Sequence, residues 1–583
     1  MAAEAASDRY DEIIEVLQPI IGTIETEMKK EQYEIVHEII EFLANKMYVR
    51  YLPHTIKIII VDASNNIILN RIVYDFVIVE AALYTTEDRR CGSEDLTLYE
   101  YSIVETEVRE KIIADHVGPT LASFPSSVFY TIATNKLAYR TVARYMMHMG
   151  NHIVVYIEAD TRNNCYLRNC DNGVVLDIEN NCVSSRSIYM HPSGTINRTG
   201  AMKHKIKEKW LTRDIMLTNR GYGNEYYSLL SVQNKKHIWK GSASKGHIVN
   251  AVETTTNGSF LIHTISSAES TVYLYDGSTT LMLMKPTYCK IKLLKDCFIV
   301  NSLVEAEYMV DLHGIVSRRA PIPLDIALVR KDARSKDKTR IPVIIAQAAT
   351  CVEPIGLLVC GYGAYGIPYN MSYPYKWLPL MRRGWAVAFV CVRGGWENGD
   401  KWYFDGSLRN RETGREDFHA GILAAQKEMH VTAERTVLYG RSAGGFLVGA
   451  TANKWPEIAN MLFMEAPFLD VLTTMMDKTL PLTELEAEEF GAPYNKKADH
   501  QLLSKLSPVD NVPTDKKFPI VFIRTGADDS QVFPIESEKY IENVNFAGQK
   551  LNLYHKDECE GHFVKKDLQE THEAEDAAII LNM

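Results

Sequence analysis

A chain of 583 residues is too long for one hydrophobic core, so at least two domains are expected. Its 46% hydrophobic and 24% charged residues are ordinary for a globular protein, and a net charge of −10 argues against a nucleic-acid binder. No apolar run reaches the length of a membrane span, and the N-terminus lacks the basic region and apolar core of a signal peptide.

Residues 9–48 read as helical. Ile13, Ile14, Leu17, Ile20, Ile21 and Ile24 recur at spacings of three and four, which makes one apolar stripe. The expectation is a helical arm over 1–52 that packs on another domain. From 53 to 319 short β-rich runs dominate, among them "TIKIIIV", "GVVLDIE" and "TVYLYD", with turn residues between them. A β-propeller or β-sandwich is expected there, without an internal repeat that would give a blade count. From 320 to 583 strands alternate with helices, which implies a mostly parallel sheet covered on both faces. The ten cysteines are scattered. The closest pair, Cys165 and Cys170, has no partner pair at metal-site spacing, so reduced thiols in a cytosolic protein are expected.

The chemistry gathers in the last segment. "VLYGRSAGGFLVGA" carries Gly440-Arg441-Ser442-Ala443-Gly444, a G-x-S-x-G pattern between an apolar strand and an amphipathic helix. On such a turn the Ser442 hydroxyl stands clear of the backbone, and the helix N-terminus aims free N–H groups toward it. A serine nucleophile needs a base and an orienting carboxylate, expected in the order Ser, Asp/Glu, His. Asp528 and Asp529 follow the strand "PIVFIRTG", and His562 follows the strand "LNLYH". Cys559, three residues before His562, is a candidate for thiol reagents that block access to the site.

The segments "LLVCGYGAYG", "RGGWENGDKWY", "GRSAGG", "PLTELEAEEFGAP", "SPVDNV" and "TGADDSQV" stand in the order and spacing of one family. Over residues 320–583 the chain resembles the prolyl oligopeptidase family, and within it the oligopeptidase B branch. The resemblance implies an α/β-hydrolase domain preceded by a helical arm and a seven-bladed β-propeller. At about 265 residues the β region looks short for seven blades of ~40–45 residues, so trimmed or missing blades are expected. Relative to the family, the chain is also expected to lack the first N-terminal segment.

The resemblance makes Ser442 the nucleophile, His562 the general base and Asp529, rather than Asp528, the orienting acid. It gives Tyr362 and the Ala443 N–H as oxyanion donors. It assigns Glu486 and Glu488 to a basic P1 side chain, which in a part-buried pocket needs a carboxylate partner. Three departures stand out. Asn370 and Ser372 replace a second acidic pair, which leaves P2 undemanding. Trp396 stands where a third glycine is preferred. Gln531 stands where the proline-specific members carry arginine.

The expected function is hydrolysis of short peptides after Lys or Arg by a cytosolic serine oligopeptidase, through an acyl-enzyme. No metal, organic cofactor, nucleic acid or membrane is implied. An esterase or acyl-peptide hydrolase on the same triad is the second enzyme reading. A catalytically silent β-propeller binding protein is the reading of another class.

Overall fold

In a computed structural model of the chain, the described residues are 2–31, the strands and a few turns between 38 and 242, 248–266, and 269–582 apart from 481, 550, 559 and 565. The first element is a helix, Ala2–Glu31. Tyr10, Leu17, Ile21, Ile24 and Met28 are buried along it, with Ile13 and Ile14 packed beside them, whereas Ile20 is exposed. The helix seats on the C-terminal domain, as the apolar stripe implied. It ends earlier than the helical reading of 9–48, however. Glu38–Phe42 and Met47–Leu52 are strands, paired antiparallel with Ile40 opposite Val49. The β-branched and aromatic residues of "EIIEF" and "MYVRYL" suit a pleated surface better than further helical turns.

Antiparallel sheets follow up to Arg319. One four-stranded sheet spans 38–72, and two more span 248–287 and 289–319. Between them, a seven-stranded sheet is two units sharing the strand Glu107–Phe124. Its first part pairs with Leu96–Val104 and its last with Ser127–Ala133. The next sheet is also two units, joined by one parallel pair, Ser185 with Lys207. Among the described residues the count is therefore seven four-stranded units, the blades of a β-propeller. The blades are not missing. The β region begins at 38 rather than 53, which leaves about 40 residues per blade. Alternation builds each blade: Val174, Leu176 and Ile178 enter one core, and Phe298 and Val300 another.

The C-terminal sheet has eight strands, in the spatial order Ile326–Arg334, Arg340–Ala348, Trp385–Val390, Gly356–Cys360, Thr436–Arg441, Met461–Glu465, Ile520–Gly526 and Leu553–Asp557. The first two pairings are antiparallel and the rest parallel. Successive residues supply two cores. Val343, Ile345, Leu357 and Val359 face the helices Arg411–Met429, Ala443–Lys454 and Pro534–Phe546. Ile344, Ala346, Leu358 and Cys360 face the N-terminal helix, Leu378–Arg382 and the C-terminal helix Lys566–Leu581. A parallel sheet buried on both faces explains why these strands read as unbroken apolar runs. This is an α/β-hydrolase domain, and its parallel strands deliver their C-terminal ends to one edge.

Candidate active site

Ser442 stands between the strand Thr436–Arg441 and the helix Ala443–Lys454, with φ 53° and ψ −122°. A non-glycine residue there is strained, and such strain persists only where surrounding structure over-determines it. Here the backbone does so. The Ser442 N–H donates to the Glu465 carbonyl at 2.9 Å, and its carbonyl accepts from Gly445 at 2.8 Å and Phe468 at 3.0 Å. The flanking glycines make the turn possible: a Cβ on Gly440 would stand 2.2 Å from the Gly444 carbonyl oxygen, and one on Gly445 would stand 2.2 Å from Pro467. Ala443 begins the helix, so its N–H points out of the helix end beside Ser442.

Asp529 and His562 arrive from loops after the last two strands of the sheet. His562 Nδ1 lies 2.8 Å from Asp529 Oδ2, and both residues are buried. The other carboxylate oxygen accepts from the N–H groups of Gln531 at 2.9 Å and Val532 at 2.8 Å. Asp529 is thereby held by its own turn, while Asp528 is exposed. Ser442, His562 and Tyr362 line one cavity of about 1010 Å³. Burial raises the Tyr362 phenol above its ordinary pKa, so it stays a proton donor. Cys559 lies outside the described residues.

The two predicted P1 glutamates part company. Glu486 lines the cavity and accepts a hydrogen bond from the Tyr365 phenol at 2.9 Å. Burial pushes its carboxyl up to about 8, with Glu489 and Glu536 adding to the rise while the Tyr365 hydrogen bond and Arg411 oppose it. Glu488 does not line the cavity; it pairs with Arg162 of the propeller at 2.9 Å. The pairing takes Glu488 because its side chain leaves the short helix Ala487–Phe490 toward the propeller. Its neighbours have other partners again: Glu484 meets Lys478 at 2.8 Å, and buried Glu489 pairs with Arg411 and accepts from Tyr403 at 2.7 Å.

Sequence reasoning passed over three contributors. Tyr365, at φ 57°, sits in the "GYGAYG" segment that supplied Tyr362, so that loop carries both an oxyanion candidate and a partner for Glu486. Arg441, the variable residue of the elbow, donates to the His562 carbonyl and lies over the Phe563 ring. Lys376, on the cavity wall, pairs with Glu465 at the end of the strand beside the nucleophile's. Only the first had a signal in the sequence; the others depend on long-range pairing.

Residues 372–579 match the prolyl oligopeptidase family model. Among curated relatives, "Prolyl endopeptidase-like" of Gallus gallus is 34% identical over 233 residues, 40% of this chain and 32% of that protein. "Protease 2" of Moraxella lacunata is 36% identical over 209 residues, 36% of this chain and 30% of that protein. The matches thus span about a third of those relatives' length. Two solved structures extend the likeness to nearly the whole chain. Oligopeptidase B from Leishmania major aligns at TM-score 0.84 and 18% identity, covering 98% of this chain and 90% of that one. Oligopeptidase B from Trypanosoma brucei, with covalently bound antipain in a closed form, aligns at 0.85 and 18% identity, covering 99% and 91%. At that identity the likeness is one of fold alone, and the resemblance to the prolyl oligopeptidase family rests on the match over residues 372–579.

The departures from the prolyl oligopeptidase pattern have physical settings here. Asn370 and Ser372 line the cavity and hydrogen-bond to each other at 2.5 Å. Gln531 also lines it. Trp396 packs against propeller residues, in the cluster of Leu229, Ile248, Phe260 and Ile262, and donates its indole N–H to Asp400 at 2.6 Å. The larger side chain in the glycine-rich loop is therefore a contact across the two domains. Among the described residues, no helix is long and apolar enough to cross a membrane.

Proposed function

We propose that the chain is a cytosolic serine oligopeptidase that hydrolyses short peptides on the C-terminal side of Lys or Arg. The observation that carries this reading is that Ser442, His562, Tyr362 and Glu486 all line a single cavity, with Asp529 bonded behind the histidine. Ser442 Oγ attacks the scissile carbonyl as His562 takes its proton. Asp529 keeps the imidazole oriented and stabilises the imidazolium. The oxyanion forms toward the Tyr362 phenol and the Ala443 N–H, donors whose effect is largest on charge developed in the transition state. His562 then protonates the leaving amine, and water cleaves the acyl-enzyme by the same route in reverse.

Glu486 supplies the negative charge for P1, and Asn370 with Ser372 supplies hydrogen bonds without charge at the next position. The partition we propose is an arm, a propeller and a catalytic domain, with the last division near residue 320. A fluorophosphonate probe should label wild-type protein at Ser442, and a peptide library should be cut after Lys and Arg. Failure to label would remove the serine mechanism. Labelling with cleavage after other residues would keep the mechanism and remove the P1 assignment.

A further inference from the structure

Below the loop that carries His562, three side chains meet that the reaction does not use. His555 and Asp557 lie on the edge strand Leu553–Asp557, and His572 lies on the C-terminal helix Lys566–Leu581. None lines the cavity. One donor atom from each falls within 4.8 Å of the other two.

His572 is 7% exposed, and carboxylates stand on both sides of its ring. Its Nε2 is 3.6 Å from Asp557 Oδ2, and its Nδ1 is 3.8 Å from Glu560 Oε2. Both separations exceed the ~3.2 Å limit of a good N–H···O hydrogen bond. Whichever nitrogen holds the proton, a neutral ring turns one lone pair toward a carboxylate. His555 stands beside it, with ring centroids 5.7 Å apart. Its Nε2, like Nδ1 of His572, is buried with no hydrogen-bond partner among the described residues.

A cation between the rings and Asp557 would satisfy these groups together. Two ligand atoms on one tetrahedral zinc ion stand about 3.3–3.5 Å apart when the bonds are ~2.0–2.2 Å. The 3.6 Å between His572 Nε2 and Asp557 Oδ2 is close to that spacing. Two imidazoles and one carboxylate suit zinc or a neighbouring transition metal better than calcium or magnesium. Nearby Arg524 opposes a second cation, but Asp576 and Glu575, both at 3.0 Å, balance its charge.

We propose that His555, Asp557 and His572 form a site for a divalent transition-metal ion of the zinc type. With the ion on Nε2, Glu560, 3.8 Å from Nδ1 of His572, would accept that nitrogen's proton from outside the coordination sphere, as carboxylates do behind metal-bound histidines. The ion would join the edge strand to the C-terminal helix at the root of the loop that carries His562.

Calorimetric titration of zinc chloride into the chelator-treated full chain tests this. One equivalent should bind, with a rise in melting temperature. His572→Gln and Asp557→Asn should each weaken binding at least tenfold and abolish the thermal shift. Glu560→Gln is the milder variant and should weaken binding roughly tenfold. Circular dichroism of the metal-free variants separates lost ligands from lost fold, and Glu560→Gln decides if the other two misfold. No binding by the wild type would overturn the proposal. So would binding unchanged in every variant, or binding lost in His562→Ala instead, since that would put the ion in the catalytic cavity.

Discussion

The turn at Ser442 and the glutamate run 484–489 are both short, dense motifs, yet they are built on different principles. At Ser442 the backbone decides. Two glycines admit no side chain, three main-chain hydrogen bonds hold a positive φ, and the serine has one place to be. In the glutamate run the partners decide. Glu484, Glu486, Glu488 and Glu489 go respectively to Lys478, Tyr365, Arg162 and Arg411, three of which lie far away in sequence or on another element. A motif enforced by sterics can be read from its own residues, whereas one enforced by side-chain pairing cannot.

The comparison is sharpest where its first half is broken. Ser442→Ala should cost about 10⁶ in kcat, the scale of removing a nucleophile, with the circular dichroism spectrum unchanged. Activity above a trace would detach the strained turn from the chemistry. Tyr362→Phe comes next, with a fall of roughly 10²–10³ in kcat on amide substrates and little change in KM. A rise in KM alone would make Tyr362 a binding group.

The second half is tested by separating the two glutamates assigned to P1. At pH 9, Glu486→Gln should lower kcat/KM for Arg substrates by roughly a hundredfold, because it leaves a part-buried cation unpaired. Neutral-P1 substrates should hardly change. The pH dependence refines this. With its carboxyl at about 8, Glu486 is mostly protonated at pH 7 and mostly ionised at pH 9. The ratio of kcat/KM for Arg over neutral substrates should therefore climb about tenfold across that interval, since only the ionised form attracts the guanidinium. In Glu486→Gln the ratio should stay flat. A ratio that falls with pH would contradict the assignment. Smallest is Glu488→Gln. Its partner Arg162 is 47% exposed, and such pairs contribute ~0–1 kcal/mol, so kcat/KM should move less than about fivefold. A hundredfold loss there would return Glu488 to the pocket.

These contrasts mark what the sequence could convey. The α/β alternation, the elbow, the Ser–Asp–His order and the choice of Asp529 over Asp528 rest on local pattern or on the family resemblance. The fold brings Asp529 and His562 into contact and leaves Asp528 exposed. The arm was legible as an amphipathic stripe, but its end was not, because the apolar pair Ile39-Ile40 fits helical and strand periods equally. That misplacement made the propeller look too short. The Arg162–Glu488 pair joins residues 326 apart, and Trp396 enters a cluster whose other members come from two blades. Nothing in either residue's neighbourhood announces such a partner.

The seating of the first helix has a consequence in time. Tyr10 donates to Glu575 at 2.7 Å across 565 residues, and Leu17, Ile21 and Ile24 share a core with Ala577, Ile579 and Ile580. The helix Ala2–Glu31 thus rests on an element made much later. At ~5–20 residues per second of synthesis, the helix waits roughly half a minute to two minutes for its partner. Throughout that interval an apolar stripe is exposed on a nascent chain, and for about its second half the strands up to Arg319 have already been made. Slowing translation over the codons for residues 480–580 should lengthen the exposure and raise the fraction captured by chaperones. Removing residues 566–583 should make the capture permanent, even though the Ser442 turn would be untouched.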